Sequence, residues 1–302
     1  MSLGYVSPFL LYNTVANMIR RKGLAVFALL VLMLSSCASQ AKKTLVDPFP
    51  LRFPLVDAGT LEIEGHVAGQ PWARDGIVYF TTREGDLTAV VAPSRCILWR
   101  KPAEGTGPEW GRPAGLSSGT ESPALKVEGT LLRATDRNGL KMWEFSAEGT
   151  ISAEPAVRDG RVYFGTAERV FYCLNAGSGK RVWSRRLQGA PVQPPLVAGG
   201  TVAVVASNSV VYRLSAKGGS ILSWEAIPSR VVYEPASAGS LMLITSAAPT
   251  LIALDLRTGR RSGQHEASGL LAAGAVWTSP YIVLFVEDRD SGRQRLVFLR
   301  SR

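Results

Sequence analysis

From about residue 58 onward the hydrophobic positions fall in short runs, broken at regular intervals by Gly, Asp, Ser and Pro. One set of runs reads IVYFTT from Ile77, RVYFGT from Arg161, TVAVVA from Thr201, SLMLIT from Ser240 and YIVLFV from Tyr281. A second set follows closely: DLTAVVA from Asp86, GTLLRAT from Gly129, RVFYCLN from Arg169, SVVYRLS from Ser209, TLIALDL from Thr250 and RLVFLRS from Arg295. These runs are β-branched and aromatic, too short for helices, and bounded by turn residues, so they predict strands joined as hairpins. No window after residue 40 carries an amphipathic helical stripe, and the chain reads as all-β.

The runs recur with a period. Residues 65–76 (GHVAGQPWARDG), 149–160 (GTISAEPAVRDG), 189–200 (GAPVQPPLVAGG) and 229–240 (SRVVYEPASAGS) align on Pro71, Pro155, Pro195 and Pro235. The gaps between those prolines are 84, 40 and 40 residues, the first being two units of 42, with a worn copy near Pro113 and Gly119. A tight turn closes each hairpin, clearest in LNAGSGK (174–180) and LDLRTGR (254–260), and a fourth strand follows with a tryptophan in four units: Trp99, Trp143, Trp183 and Trp224. Four strands in about 41 residues is the size of a propeller blade. A lone blade leaves both sheet faces wet, so blades pack face to face in a ring, and a Trp at one fixed place per unit is expected to fill the gap between neighbours. Units beginning at 66, 107, 149, 189, 229 and 269 predict six blades. The sixth ends at Arg302 after its third strand, and TLEIEG (60–65) is a strand without a unit, so the expected closure inserts it as fourth strand of the last blade, covering two sheet edges.

The repeat pattern, G-x-VYFGT followed by a strand ending in LNA or LDL, a turn ending in GK or GR, and then Trp, resembles the PQQ-like propeller repeat. That repeat occurs in pyrroloquinoline-quinone alcohol dehydrogenases and in the propeller lipoprotein of the outer-membrane β-barrel assembly machinery. The resemblance covers about residues 58–302 and is sharpest at 149–188. It departs from both families in blade number, six against their usual eight, and it assigns no partner-contacting residues.

The amino-terminal stretch points to export. Arg20, Arg21 and Lys22 precede the apolar run LAVFALLVLML, too short to span a bilayer and right for a signal core. Leu34-Ser35-Ser36-Cys37 then resembles a bacterial lipoprotein signal, which makes Cys37 the expected lipid attachment site; an ordinary secretory signal is the competing reading. No Asp follows Cys37, which by the family rule implies the outer membrane, periplasmic face. Residues 1–17 are apolar and uncharged, so Met18 is a second candidate start. The expected division is therefore 1–37 signal peptide, 38–57 extended tether of at most about 65 Å, and 58–302 propeller.

Charge changes the picture little. Residues 1–37 hold three bases and no acid, so of 34 bases and 24 acids the remainder has 31 against 24, net +7. The bases are scattered through turns rather than clustered with stacking aromatics, which argues against nucleic acid as a partner. Catalytic constellations are not found. The quinone dehydrogenases have adjacent cysteines over the cofactor, and this chain has none: Cys96 and Cys173 lie two units apart and read as small packing residues. His66 and His265 sit at unit junctions without partners at metal-ligand spacing. The acidic run Glu287, Asp288, Asp290 is interleaved with Arg289 and Arg293 and reads as a self-neutralising turn. No cofactor is expected.

One segment breaks the repeat. EGTGPEWGRPAG (104–115) carries Trp110 and Arg112, which have no equivalent in other units. Trp and Arg are enriched at binding hot spots, so the pair is a candidate partner contact; Trp110 folding back as a cap is the alternative. The function expected is a lipid-anchored protein-interaction scaffold, touching the membrane through its anchor and unidentified envelope proteins through its propeller, in outer-membrane protein or envelope assembly. The alternative is a periplasmic quinone-dependent oxidoreductase.

Overall fold

The computed structural model describes residues 51–102 and 123–302, and these residues are all β, with no helix among them long and apolar enough to cross a membrane. The chain enters with β1 (Leu55–Ile63). Sheet I follows as β2 (Val67–Arg74), β3 (Ile77–Thr82), β4 (Asp86–Val91) and β5 (Cys96–Pro102), and sheet II as β6 (Ala124–Glu128), β7 (Leu131–Thr135) and β8 (Lys141–Ser146). Sheet III is β9 (Ala156–Arg158), β10 (Arg161–Gly165), β11 (Val170–Asn175) and β12 (Arg181–Arg186). Sheet IV is β13 (Leu196–Ala198), β14 (Thr201–Val205), β15 (Val210–Ser215) and β16 (Ile221–Ala226), and sheet V is β17 (Ala236–Ala238), β18 (Leu241–Thr245), β19 (Thr250–Asp255) and β20 (Arg261–Glu266). Sheet VI comprises β21 (Leu270–Leu271), β22 (Val276–Thr278), β23 (Tyr281–Glu287), β24 (Gln294–Ser301) and β1.

All pairings within the sheets are antiparallel, and all join chain neighbours except β21 with β23, which skips β22, and β1 with β24. β1 pairs with β24 from Leu55 opposite Ser301 to Ile63 opposite Gln294, bulged between Asp57 and Gly59. The expected insertion of an amino-terminal strand beside the last strand is thus present, starting five residues earlier than TLEIEG. Sheet II has three strands among the described residues. Aligning its hairpin with that of sheet III (Leu125 opposite Ala134, Tyr163 opposite Cys173) makes β6 the second strand of its unit.

The central strands of sheets III to VI are apolar on both faces because each of these sheets is sandwiched between two others. In β10, Val162 and Phe164 join Leu132, Ala134 and Trp143 of sheet II, while Tyr163 joins Val202, Val204 and Leu214 of sheet IV. Sheet IV meets sheet V through Ala203, Val205, Met242 and Ile244, and V meets VI through Leu243, Leu251, Leu284 and Leu299. Sheet VI meets sheet I through Val283, Phe285, Phe298, Val78 and Phe80, with Phe80 and Phe285 edge to face at 5.5 Å. Five core clusters therefore link II, III, IV, V, VI and I in succession.

A second regularity sets which face each side chain takes. Sheets I to V all carry a bulge between the third and fourth strands, at Ala89/Val90, Ala134/Thr135, Cys173/Leu174, Arg213/Leu214 and Ala253/Leu254. An extra residue at the same place in each unit bends the last strand and fixes its register.

Candidate interaction surface

The repeated tryptophans do one job where the register allows it. Trp143 stands opposite Ala134 and Trp183 opposite Cys173, both on the face turned to the next sheet, and both are buried. Trp143 Nε1 donates to Ala176 O at 2.7 Å, and Trp183 Nε1 donates to Ala216 O at 3.0 Å, so each indole is tied to the hairpin turn of the following sheet. Those turns receive the rings on Gly179 and Gly219, both at positive φ; a Cβ on Gly179 would come within 2.6 Å of the Trp143 ring. Glycine is needed there for the backbone and for the space.

Trp224 departs from this expectation and must be corrected. It stands opposite Tyr212, whereas the docking position opposite Arg213 is held by Ser223. Its spacing from Trp183 is 41 residues rather than 40, and one residue in a strand reverses the face. Trp224 is 64% exposed. Arg213 takes over the missing indole: its Nε donates to Ser223 Oγ at 3.0 Å and its Nη1 donates to Leu256 O at 3.1 Å and to Arg257 O. Gly259 lies under this pair as Gly179 lies under Trp143. The sequence offered one signal for the exchange, an Arg in a strand position otherwise held by Ala or Cys.

Trp99 has the docking register, opposite Ala89, and lies half-buried at 6.1 Å from Tyr79, the same separation as Tyr163 to Trp183. Trp72 stacks on Tyr79 at 4.0 Å, and Lys101 Nζ sits 5.5 Å from the Trp99 ring. Sheet II carries ions on its other face: Arg133 pairs with Glu144 at 3.3 Å and Glu128 at 3.6 Å, and Lys126 with Glu128 at 2.8 Å. A cavity of about 480 Å³ borders this face, lined by Leu125, Lys126, Arg133 and Lys141 among others.

Exposed large apolar side chains gather on the last strands of four consecutive sheets. They are Ile97 and Leu98 on β5, Met142 on β8 with Leu140 just before it, Val182 on β12, and Ile221, Leu222 and Trp224 on β16. Among the described residues no strand pairs with the outer edge of these strands, whose backbone groups there have no strand partner. The last strand of sheet V, RSGQHE, is polar instead.

Groups with catalytic potential are dispersed. Cys173 is buried and burial pushes its thiol up, which disfavours the thiolate; beside it, burial pushes the Tyr163 phenol up to about 12. Cys96 is exposed on β5. His66 Nδ1 faces Glu84 at 3.2 Å, and burial lowers the pKa of His265 on β20. Glu84 also accepts the His66 backbone N–H, and this hydrogen bond chiefly holds its carboxyl down at about 2. In the turn at Glu287, Asp288 accepts the N–H groups of Asp290 and Ser291, and Gln294 donates to Glu287 at 2.7 Å. Among the described residues no three His, Cys, Asp or Glu side chains gather as metal ligands. Cys37, Trp110 and Arg112 lie outside the described residues.

Residues 127–269 match the family model described as "Outer membrane protein assembly factor BamB", so this stretch carries BamB-like repeats. No curated protein sequence matches. Among solved structures, the chain is similar to BamB from Moraxella catarrhalis, at 15% identity over 80% of this chain and 78% of that one, TM-score 0.46. It is also similar to the computationally designed Ika8 protein, at 13% identity over 78% of this chain and 70% of that one, TM-score 0.46.

Proposed function

We propose that this chain, with BamB-like repeats over residues 127–269, is a six-bladed propeller that works as a protein-interaction scaffold in envelope assembly. The six sheets are its blades, β1 completes the sixth, and lipid on Cys37 holds it at the periplasmic face of the outer membrane. The observation that carries the scaffold reading is the file of exposed apolar side chains on β5, β8, β12 and β16. Water-exposed Leu, Ile, Met and Trp on consecutive strand edges form a surface for another protein, while the buried groups serve packing. The name of the matching family supports assembly of outer-membrane proteins as the task such a scaffold serves.

Affinity recovery from cross-linked membranes, with native protein beside Cys37→Ala, tests the reading. The native chain is expected to remain in the membrane fraction and to bring down a reproducible set of envelope proteins, and Cys37→Ala to move to the soluble periplasmic fraction. Quinone-dependent oxidoreductase activity of the purified chain, or recovery of no envelope protein, would overturn the scaffold reading.

A further inference from the structure

We infer that β16 of the fourth sheet is a docking edge for an extended, acidic segment of a partner protein, which adds beside it as a further strand. The inference rests on the scaffold reading and names the partner's chemistry. In sheets II and III the tryptophan of the last strand is used internally, its ring on a glycine turn and its N–H on a carbonyl. In sheet IV Arg213 has taken that work, and Trp224, moved one residue along, is freed to solvent at 64% exposure. Ile221 and Leu222 on the same strand are exposed as well, so three large apolar side chains stand within four residues on an edge that no strand covers among the described residues.

Charge complementarity sets the occupant. Arg185 reaches the start of β16, its Nε donating to Gly219 O at 2.9 Å, and Arg161 donates to Ala216 O and Lys217 O in the same turn. Arg213 is held at Ser223 and Leu256. These three guanidiniums are satisfied by carbonyl and hydroxyl oxygens, and among the described residues neither they nor Lys217 make an ion pair. The one carboxylate on β16, Glu225, already pairs with Arg261 at 3.1 Å. An apolar strand edge whose leading turn gathers Arg161, Arg185 and Lys217 fits an extended segment in which acidic and apolar side chains alternate, paired to β16 through the backbone. A bilayer surface would satisfy the tryptophan and the cations but not the open backbone edge, so the observations favour a polypeptide.

The test uses the full chain and a fluorescent peptide of alternating Val and Glu, read by anisotropy. Binding is expected, and Trp224→Ala should weaken it about tenfold or more without shifting the melting temperature, since the side chain is exposed. Lys217→Glu should weaken it too. A Val–Lys peptide and a backbone N-methylated Val–Glu peptide should not bind. Unchanged binding to Trp224→Ala, or equal binding of the lysine or N-methylated peptide, overturns the proposal. So does Trp224-dependent sedimentation with phosphatidylcholine–phosphatidylglycerol vesicles in place of peptide binding. If Trp224→Ala still recovers the full set of envelope proteins from cross-linked membranes, this edge is rejected and the scaffold reading stands. If the native chain recovers none, the scaffold reading itself fails.

Discussion

Trp183 and Arg213 occupy successive seams and solve one problem with different chemistry. Each reaches from its own sheet to a carbonyl in the next sheet's hairpin turn, and each lies over a glycine. The indole adds apolar area that the guanidinium does not. Trp183→Ala should therefore cost about 3–5 kcal/mol, the range for truncating a buried Trp, seen as a lower denaturation midpoint with unchanged slope. Trp224→Ala should cost almost nothing by the same measurement. Glu84 gives a prediction in pH. Its carboxyl is held at about 2 against an ordinary 4.5, so the folded state binds the proton less readily than the unfolded chain. Its contribution is present above 4.5 and is lost as pH falls from 4.5 toward 2. The stability difference between the native chain and Glu84→Gln should be constant from neutral pH down to about 5 and close below it; a difference that stays unchanged as pH falls below about 5 would contradict the assignment.

At the scale of elements, the closing strand has the largest consequence. β1 covers the free edge of β24 and buries Leu55, while Leu61 and Ile63 pack against the seam between sheets VI and I. Removing residues 55–63 should cost roughly 3–6 kcal/mol from the lost apolar burial and bare the edge of RLVFLRS, with self-association expected in sedimentation. A truncated chain that melts with the native one and stays monomeric would contradict the role of β1. This pairing is legible in the amino-acid sequence, because TLEIEG (60–65) is an alternating strand that belongs to no unit of the repeat. The hairpins are legible for a similar reason: IVYFTT, RVYFGT and YIVLFV are bounded by turn residues on both sides. The exposure of Trp224 is not legible there. A spacing of 41 looks equivalent to 40 in a row of tryptophans, and only the ladder, with Ser223 opposite Arg213, shows that the side chain has changed faces. The roles of Arg161 and Arg185 escape sequence reading because a guanidinium that caps a carbonyl in the next sheet leaves no pattern within its own unit, and Arg213 leaves only the mark of an Arg where other units carry Ala or Cys.

For the whole molecule, repetition gives both the architecture and its points of departure. Neighbouring sheets share apolar faces through five clusters, so a substitution in one sheet is felt first in the sheets beside it. Function on this account comes where repeats differ: the stacked Trp72, Tyr79 and Trp99, the polar last strand of sheet V, and the freed Trp224. Trp110 and Arg112, the contact candidates read from the sequence, lie outside the described residues, and most of the exposed large apolar side chains within them stand on or next to β5, β8, β12 and β16. A sequence shows which residues are apolar, but which strand is left as an edge is decided by packing. The central claim is that this chain acts by holding other proteins along those edges. Lysine-directed cross-linking with mass spectrometry on intact membranes tests it directly, since Lys101, Lys141 and Lys180 lie on or next to the last strands of sheets I to III and Lys217 lies in the turn leading into that of sheet IV. The account predicts reproducible links from these lysines to other envelope proteins, reduced at Lys217 by Trp224→Ala. Membranes yielding only links within the chain itself would contradict it.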